Sequence, residues 1–452
     1  METPQATSPN PYTIPLDKIL HRLREMFGED RAQLLRGAEF RVAGETERVV
    51  AFPQQREELS EMLELAHRER WRVIPAGAGT WLEMGNKPTQ MHLVISTARL
   101  NRVVEYEPAD LTGTVEAGCS LTEFNQLTAK HRQFIPLDPF GDPRLTIGGT
   151  IATASSGPLR CAYGTPRDWL VGITVVHADG KISKAGGKVV KNVAGYDLCK
   201  LYTGSYGTLA MIAEMSFKLR ALPASEKTMV FYADDQKNEI ELLSTLAVAL
   251  SDSDVQPAAM EFVSPGHNAS LPLDPHRHAL VLRFLNEPET INAQIDDATR
   301  IGGYCQRSVL SEADAARFWT AYHESETADD WAYSFRLSAL PAELPGLVAD
   351  LTQVLPDMHV RAHAGNGVVR VLAPLGWLDN FKTKERARKV AEVRRAAQAR
   401  GGQLLILRAT PELTAQLDVW GEVGPTANLM RALKDKYDPQ SQLNPGRFVA
   451  GI

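Results

Sequence analysis

Three glycine-bearing stretches have the residue types to cradle a phosphate: Pro75-Ala76-Gly77-Ala78-Gly79-Thr80, Thr146-Ile147-Gly148-Gly149-Thr150-Ile151-Ala152 and Gly204-Ser205-Tyr206-Gly207-Thr208-Leu209. Each adjoins a β-branched apolar run. Glycine lets backbone N–H groups approach a ligand with no side chain between them. Alone, each stretch is as readily an ordinary tight turn. Three in one segment point to one extended cradle for a large, phosphate-bearing cofactor. Gly77-Ala78-Gly79 lacks the third glycine and the acidic residue about 20 positions on that mark a dinucleotide-binding βαβ unit. A plain NAD-binding fold is therefore disfavoured.

Periodicity predicts the elements that hold these stretches. Leu16, Ile19, Leu20, Leu23 and Phe27 recur at helical spacing over 16–27. A strand over 48–52, a helix over 55–69 and a strand over 72–74 run straight into the first glycine stretch. This order puts the loop at the carboxyl end of a parallel strand, where open α/β sheets bind ligands. Strands over 92–95, 103–106 and 112–116 follow, then a helix over 121–130, and the second stretch reads as a loop over 146–153. Strands over 170–177 and 181–183 form a hairpin around Ala178-Asp179-Gly180. The third stretch precedes a strand reaching Leu219, and Leu222-Pro223-Ala224 reads as a domain boundary. Beyond it, strands over 229–232, 258–263, 279–284, 331–337, 368–373 and 403–408 alternate with helices over 239–250, 289–301, 344–354 and 383–400. That pattern predicts an α+β unit with its sheet covered on one side. A helix over 426–437 stops at Asp438-Pro439-Gln440.

The 452 residues suit two to four domains at roughly 100–200 residues each. With 44% hydrophobic and 23% charged residues the composition is that of ordinary globular proteins. A net charge of -6 argues against general nucleic-acid binding. No apolar run approaches the ~18 residues that would span a bilayer, and the polar, proline-rich start lacks the regions of a signal peptide. The expected location is cytoplasmic, or peripheral to the inner membrane through partners. Cys119, Cys161, Cys199 and Cys305 form no C-x-x-C pair, so the chain has no iron–sulfur or zinc motif of its own. From Lys382 to Arg400, eight basic residues stand against Glu385 and Glu392. They read as a docking face for an acidic partner or anionic surface, or as a solvated helix with Val390, Val393 and Ala397 turned inward.

In this order the motifs resemble the FAD-binding family typified by vanillyl-alcohol oxidase and p-cresol methylhydroxylase. The resemblance runs from about residue 47 to 448. It rests on the three stretches, on Tyr163-Gly164 with Asp168, on Gly195-Tyr196-Asp197-Leu198 and on Leu443-Asn444-Pro445-Gly446-Arg447-Phe448. Within that family the run from Gly186 to Leu198 is most similar to the FAD-binding E subunits of bacterial glycolate oxidases. The resemblance implies an α+β protein: an N-terminal extension over 1–30, a two-subdomain FAD-binding domain over 31–223 and an α+β cap domain over 224–448. It implies FAD held by Pro75, Gly77, Ala78, Gly79, Thr80 and Trp81, by Thr146, Gly148, Gly149 and Thr153, by Tyr196 and Asp197, by Gly207 and Ile212, and by Asn444. Gly77 to Thr80 would take the pyrophosphate, the second stretch the pyrophosphate and flavin edge, and the third with Ile212 the adenine and ribose side. Asn444 would approach the flavin from the other domain. Many relatives tether the flavin through a histidine near the first stretch. Positions 75–81 hold none and His92 reads as structural, so the FAD is expected to be non-covalent.

Related 2-hydroxy-acid dehydrogenases carry His-x-Gly-Asp-Gly-Asn-x-His, whose two histidines help hold a divalent metal. Here the stretch reads His363-Ala364-Gly365-Asn366-Gly367-Val368-Val369-Arg370. A guanidinium has no acceptor with which to ligate a metal, so no metal site is expected. Arg370 can clamp a carboxylate bidentately, and His363 is either a general base or a hydrogen-bonded neighbour of the flavin. The implied function is the FAD-binding subunit of a glycolate-oxidising complex, with a homologous flavin subunit and an iron–sulfur subunit as partners. A self-sufficient flavin dehydrogenase for a small 2-hydroxy acid or alcohol, and a non-catalytic subunit that holds FAD structurally, remain open alternatives.

Overall fold

The computed structural model describes residues 14–45, 47–187, 196–235, 237–265, 271–324, 331–355, 358–374 and 381–452. Three large sheets organise them, beside a two-stranded pairing of Gln133–Phe134 with Arg220–Ala221. The first has four strands in the order Ala32–Arg36, Glu47–Ala51, Leu93–Ser96 and Val73–Ala76. Its last three strands are parallel. Helix Arg56–Arg68 makes the crossover between Glu47–Ala51 and Val73–Ala76. Leu59, Met62, Leu63 and Ala66 recur at three- and four-residue spacing, so one face buries them against Val49, Val73 and Leu93. The first glycine stretch leaves this sheet at the carboxyl end of Val73–Ala76, as the β-α-β order predicts.

The second sheet is antiparallel, in the order Val103–Glu107, Thr112–Glu116, Met211–Lys218, Leu170–Val176 and Ile182–Gly186. The expected hairpin at Ala178-Asp179-Gly180 joins the last two strands. Gly180 takes φ +84°, a left-handed conformation that favours glycine. The second glycine stretch differs from its expected loop conformation. Ile147–Thr153 is a helix, begun by Thr146, whose Oγ1 accepts the Gly149 N–H at 3.1 Å. Ile147 and Ile151 are buried with Val115, Ile173 and Phe217. Gly148 is required here by contact and not by φ: a Cβ would lie 2.6 Å from the Ala117 carbonyl oxygen. The glycine pair therefore lets a helix lie flush on the neighbouring backbone.

The third sheet is wholly antiparallel and has eight strands. Their order is Cys305–Val309, Ser225–Ala233, Ala279–Asn286, Ala259–Val263, His359–His363, Val368–Pro374, Trp331–Ser338 and Gln403–Arg408. Helices Glu239–Ser251, Pro288–Ile301, Leu344–Val354 and Thr383–Ala399 share a core with one face, through Met260, Phe262, Val360, Ala362, Val369, Val371 and Phe335. Strand side chains alternate between faces. Glu261, Arg361, His363, Arg370, Ser334 and Arg336 are thereby sent to the other face. There helix Glu312–Glu324 packs Phe318, Trp319 and Tyr322 beside Phe140. Strands Cys305–Val309 and His359–His363 and helix Glu312–Glu324 are additions to the elements predicted from periodicity.

The final segment does not stay with the eight-stranded sheet. Leu443 bridges Val73 in parallel, Val73 N–H donates to the Gln442 carbonyl at 2.8 Å, and Asn444 N–H donates to the Val73 carbonyl at 2.9 Å. The chain thus returns to the edge of the first sheet, beside the first glycine stretch. Among the described residues no helix is long and apolar enough to cross a membrane.

Candidate active site

At the carboxyl end of Val73–Ala76 the backbone N–H groups of Ala78, Gly79, Thr80 and Trp81 donate to no protein acceptor among the described residues. Gly79 has φ +83°, and a Cβ on it would lie 2.9 Å from the Phe40 ring. A Cβ on Gly77 would lie 2.2 Å from Thr146 Oγ1. These two glycines bring the loop against the first turn of Ile147–Thr153 and leave its donors directed at a cleft. Ala78 is not among the residues with positive φ, so its methyl group is accommodated without backbone strain.

The cleft is open to solvent and encloses about 860 Å³ of space, its mouth included. It gathers Pro75, Gly77, Ala78, Gly79, Thr80 and Trp81 with Thr146, Gly148, Gly149 and Thr153, and with Gly207, Ile212 and Asn444. Two of the expected residues are not brought there. Tyr196 is 95% exposed. Asp197 caps helix Leu198–Tyr202, its Oδ1 accepting the Lys200 N–H and its Oδ2 pairing with Lys200 Nζ at 3.0 Å. Its carboxylate is committed to the helix terminus. Residues 188–195, in the run that carried the most specific resemblance, lie outside the described residues.

The cleft also contains residues that the motifs did not single out. Tyr206, Trp420 and Phe448 form an aromatic corner, Tyr206 stacking on Phe448 at 5.1 Å and meeting Trp420 edge-on at 4.7 Å. Arg447 is 6% exposed. Its guanidinium donates to the Leu82 and Met84 carbonyls at 2.6 Å and has no carboxylate partner among the described residues. Burial pulls its pKa down to about 10. A desolvated cation with neutral acceptors only, on a cleft wall, is arranged for an electron-rich ligand.

A buried network holds the tail in place. Lys434 Nζ donates to Asp438 Oδ2 at 2.6 Å, to the Leu443 carbonyl at 2.7 Å and to the Thr208 carbonyl at 2.9 Å. It ties Leu443, next to Asn444, to the third glycine stretch. Asn444 Nδ2 in turn donates to the Tyr206 carbonyl.

His363 and Arg370 do not line the cleft. They lie on the face of the eight-stranded sheet that helix Glu312–Glu324 covers in part. His363 is buried, and its Nδ1 lies 2.8 Å from both carboxylate oxygens of Glu261. Glu261 is fully buried and also accepts the Tyr322 hydroxyl at 2.5 Å. This fixes the proton on Nδ1 and leaves Nε2 as an acceptor, and Nε2 has no protein partner. The Phe140 ring lies 5.4 Å from the imidazole and 4.4 Å from the Arg370 guanidinium carbon. Burial drives the Tyr206 hydroxyl up to about 12, against the pull of Arg336 and Arg370. That electrostatic coupling joins the His363 layer to the cleft wall. Period-two alternation on 259–263 and 331–337 is the signal that would have found Glu261 and Arg336. Among the described residues, no group of three His, Cys, Asp or Glu side chains is placed to hold a metal ion.

The FAD binding domain family matches residues 48–186, which contain the first two glycine stretches. The chain is 28% identical over 428 residues to the glycolate oxidase subunit GlcD of Bacillus subtilis, covering 89% of this chain and 88% of that one. It is also 28% identical over 431 residues to a probable mitochondrial D-lactate dehydrogenase of Danio rerio, covering 89% and 84%. In fold it is similar to 4-ethylphenol oxidase from Gulosibacter chungangensis, with TM-score 0.69 and 16% identity over 95% of this chain and 96% of that one. The substrate-bound structure of p-cresol methylhydroxylase aligns with TM-score 0.68 and 14% identity over the same shares. The matched domain and the full-length relatives make the chain an FAD-dependent oxidoreductase, and its fold is similar to that of p-cresol methylhydroxylase. FAD fits what is present: free N–H donors at a glycine loop for a diphosphate, and a buried arginine with an aromatic corner for a flat ring whose edge carries hydrogen-bond acceptors.

Proposed function

We propose that this chain oxidises a small 2-hydroxy acid, glycolate to glyoxylate, as the FAD-binding subunit of a multi-chain assembly. The carrying observation is the buried Glu261–His363 pair, which leaves Nε2 as the imidazole's acceptor nitrogen with no hydrogen-bond partner among the described residues. In this reading the N–H groups of Gly77 to Thr80 hold the FAD pyrophosphate. Thr146, Gly148, Gly149 and Thr153 face the pyrophosphate and flavin edge, Gly207 and Ile212 the adenine side, and Asn444 and Arg447 the flavin. FAD, when bound, supplies the two-electron acceptor. His363 Nε2 takes the substrate's hydroxyl proton, Glu261 stabilises the imidazolium that results, and Arg370 supplies positive charge for the carboxylate. Phe140 shields this layer from water.

The FAD is held without a covalent bond. The ring nitrogens of His92 are engaged, Nδ1 accepting the Arg72 N–H at 2.8 Å and Nε2 lying 3.2 Å from the Gln90 amide. The domains span 31–223 and 224–448 after an extension over 1–30, with 443–448 returning to the first sheet. A homologous flavin subunit and an iron–sulfur subunit that takes up the electrons are the partners. The hydroxy-acid-oxidising relatives support the substrate class, and the subunit relative supports the assembly. The test is anaerobic addition of glycolate, D-lactate and D-2-hydroxyglutarate, each in turn, to the FAD-loaded chain. Bleaching of the flavin bands by glycolate ahead of the other two is the expected result. Bands that persist with all three, alone and in the reconstituted assembly, would sink the proposal.

A further inference from the structure

Helix Thr383–Ala399 carries charge that neither the cleft nor the buried layer uses. Between Lys382 and Arg400 eight basic residues stand against Glu385 and Glu392, in a chain whose net charge is -6. The fold divides the eight. Arg386 donates to the Phe381 carbonyl at 2.8 Å, Lys389 to the Val354 carbonyl at 3.3 Å and Arg394 to the Asp418 carbonyl at 2.7 Å, while Arg400 pairs with Asp350 at 2.8 Å. Lys382, Lys384, Arg388 and Arg395 are exposed, and their side chains make no hydrogen bond or ion pair with a described residue. Glu392 stands four residues from Arg388, within reach of a helical ion pair, yet neither it nor Glu385 pairs with any of these four. Lys384, Arg388 and Arg395, spaced by four and then seven, share one face of the helix. The three span roughly 16 Å at a rise of about 1.5 Å per residue.

Val390, Val393 and Ala397, on the inward side, are buried in the core beside the eight-stranded sheet. No apolar face of this helix is left to enter a bilayer, and a few charges alone hold a membrane surface weakly. An acidic protein surface is the complement the stripe fits. The carboxyl end of the helix also adjoins the cleft wall. Arg394, next to Arg395, holds the Asp418 carbonyl, and Asp418 Oδ1 accepts the Trp420 N–H at 2.8 Å and the Gly421 N–H at 2.9 Å. Trp420 lines the cleft, edge-on to Tyr206 and Phe448. We propose that Lys384, Arg388 and Arg395 form the docking face for an acidic, electron-accepting protein, seated beside the loop that carries Trp420 into the cleft. This rests on the electron-accepting partner of the proposed function and deepens it by giving that partner a contact face and a charge.

The test uses the full FAD-loaded chain with two redox proteins of opposite charge, plastocyanin, which is acidic, and cytochrome c, which is basic. The flavin is reduced anaerobically by light and EDTA, so no hydroxy acid enters. Each reduced flavin gives one electron to each of two oxidised acceptor molecules and releases its hydrogens as protons. Steering between opposite charges raises association about 10- to 1,000-fold and falls steeply with ionic strength. Lys384→Glu combined with Arg388→Glu and Arg395→Glu is therefore expected to slow oxidation by plastocyanin about 10-fold or more at low salt, to lose that difference at high salt, and not to slow oxidation by cytochrome c. Calorimetry of reduced plastocyanin with the oxidised chain, where no electron moves, should show the same loss of affinity, and the corresponding glutamine variant should lose less. Lys18→Glu with Arg68→Glu and Lys130→Glu, three exposed cations outside this helix, changes the net charge equally and keeps most of the rate. Equal plastocyanin rates in wild type and the stripe variant overturn the proposal, as does an equal loss in the control variant. If phosphatidylserine vesicles then sediment the wild type but not the stripe variant, the face belongs to a membrane; salt-sensitive self-association that only the stripe variant loses assigns it to a second copy. A chain that docks plastocyanin through the stripe, yet is reduced by no hydroxy acid, keeps the docking face and loses the oxidation reading.

Discussion

Replacing Glu261 by glutamine tests the proton-acceptor layer with the smallest change of shape. The carboxylate accepts from His363 Nδ1 at 2.8 Å and from the Tyr322 hydroxyl at 2.5 Å. Glutamine offers one oxygen and one NH₂ group. With the oxygen toward Tyr322, the NH₂ group donates to Nδ1, the imidazole proton moves to Nε2, and the acceptor is lost. With the amide flipped, Nδ1–H keeps its acceptor but the buried Tyr322 hydroxyl proton loses its own. An unsatisfied buried donor costs about 1–3 kcal/mol, which favours the wrong tautomer roughly 5- to 150-fold. Loss of the charge that stabilises the imidazolium adds about another fivefold, for ~1 kcal/mol. Flavin reduction should therefore slow by roughly 30- to 800-fold. The assay is anaerobic stopped-flow bleaching of the flavin band, with flavin content and melting temperature measured alongside. Glu261→Gln combined with His363→Gln should be no slower than His363→Gln alone, since the two residues act as a unit. Wild-type bleaching by a fully flavinated, normally melting Glu261→Gln protein would refute the reasoning.

Three further outcomes follow from the geometry. Gly77→Ala drives a Cβ into Thr146 Oγ1, which caps Ile147–Thr153. About 1–3 kcal/mol of overpacking should appear as lower flavin occupancy and a lower melting temperature, and unchanged flavin content counts against the packing argument. Lys434→Met strands the buried Asp438 carboxylate, so denaturant unfolding should show a loss of about 3–5 kcal/mol, with Lys434→Met plus Asp438→Asn losing less. Equal losses in the two variants exclude the charge argument. His323 pairs with Asp138 at 3.3 Å. Burial pulls its pKa down, but the Asp138 hydrogen bond and charge and the Trp319 carbonyl outweigh it, so the folded-state value is raised. The stabilisation is fully present below the unfolded value near ~6.5 and is lost as pH rises through the higher folded value. Melting temperature should fall over that window in wild type and stay flatter in His323→Gln; identical slopes count against the pairing.

The parts of the fold legible in the sequence are those whose signal is local. Leu16–Phe27 and Arg56–Arg68 show their buried faces as three- and four-residue spacing, and the hairpin at Gly180 announces itself by its turn residues. The glycine stretches were legible as ligand-approaching backbone, but not as loop or helix. Gly148-Gly149 becomes helical because tertiary contact with Ala117 decides the matter, and no window of sequence contains that contact. Cys305–Val309 escapes periodicity because it is an edge strand with Gln306, Arg307 and Ser308 exposed.

His359–His363 escapes for a more instructive reason. Read as His-Val-Arg-Ala-His it looks too polar for a buried strand, yet all but His359 are buried. Val360 and Ala362 face the helix-covered core, while Arg361 and His363 face a buried polar layer, where the Glu261 carboxylate accepts from His363 Nδ1 and from Tyr322. The polarity that hides the strand from a hydrophobicity argument is the polarity the site requires. In Trp331–Ser338, Arg336 likewise interrupts an apolar run, opposite Arg370 on one neighbouring strand and Leu405 on the other. In this chain, polar residues on the sheet face beside helix Glu312–Glu324 mark the proposed proton-acceptor layer, and the glycine stretches mark the cleft. The two meet at Tyr206, which belongs to the third glycine stretch and feels the charge of Arg336 and Arg370.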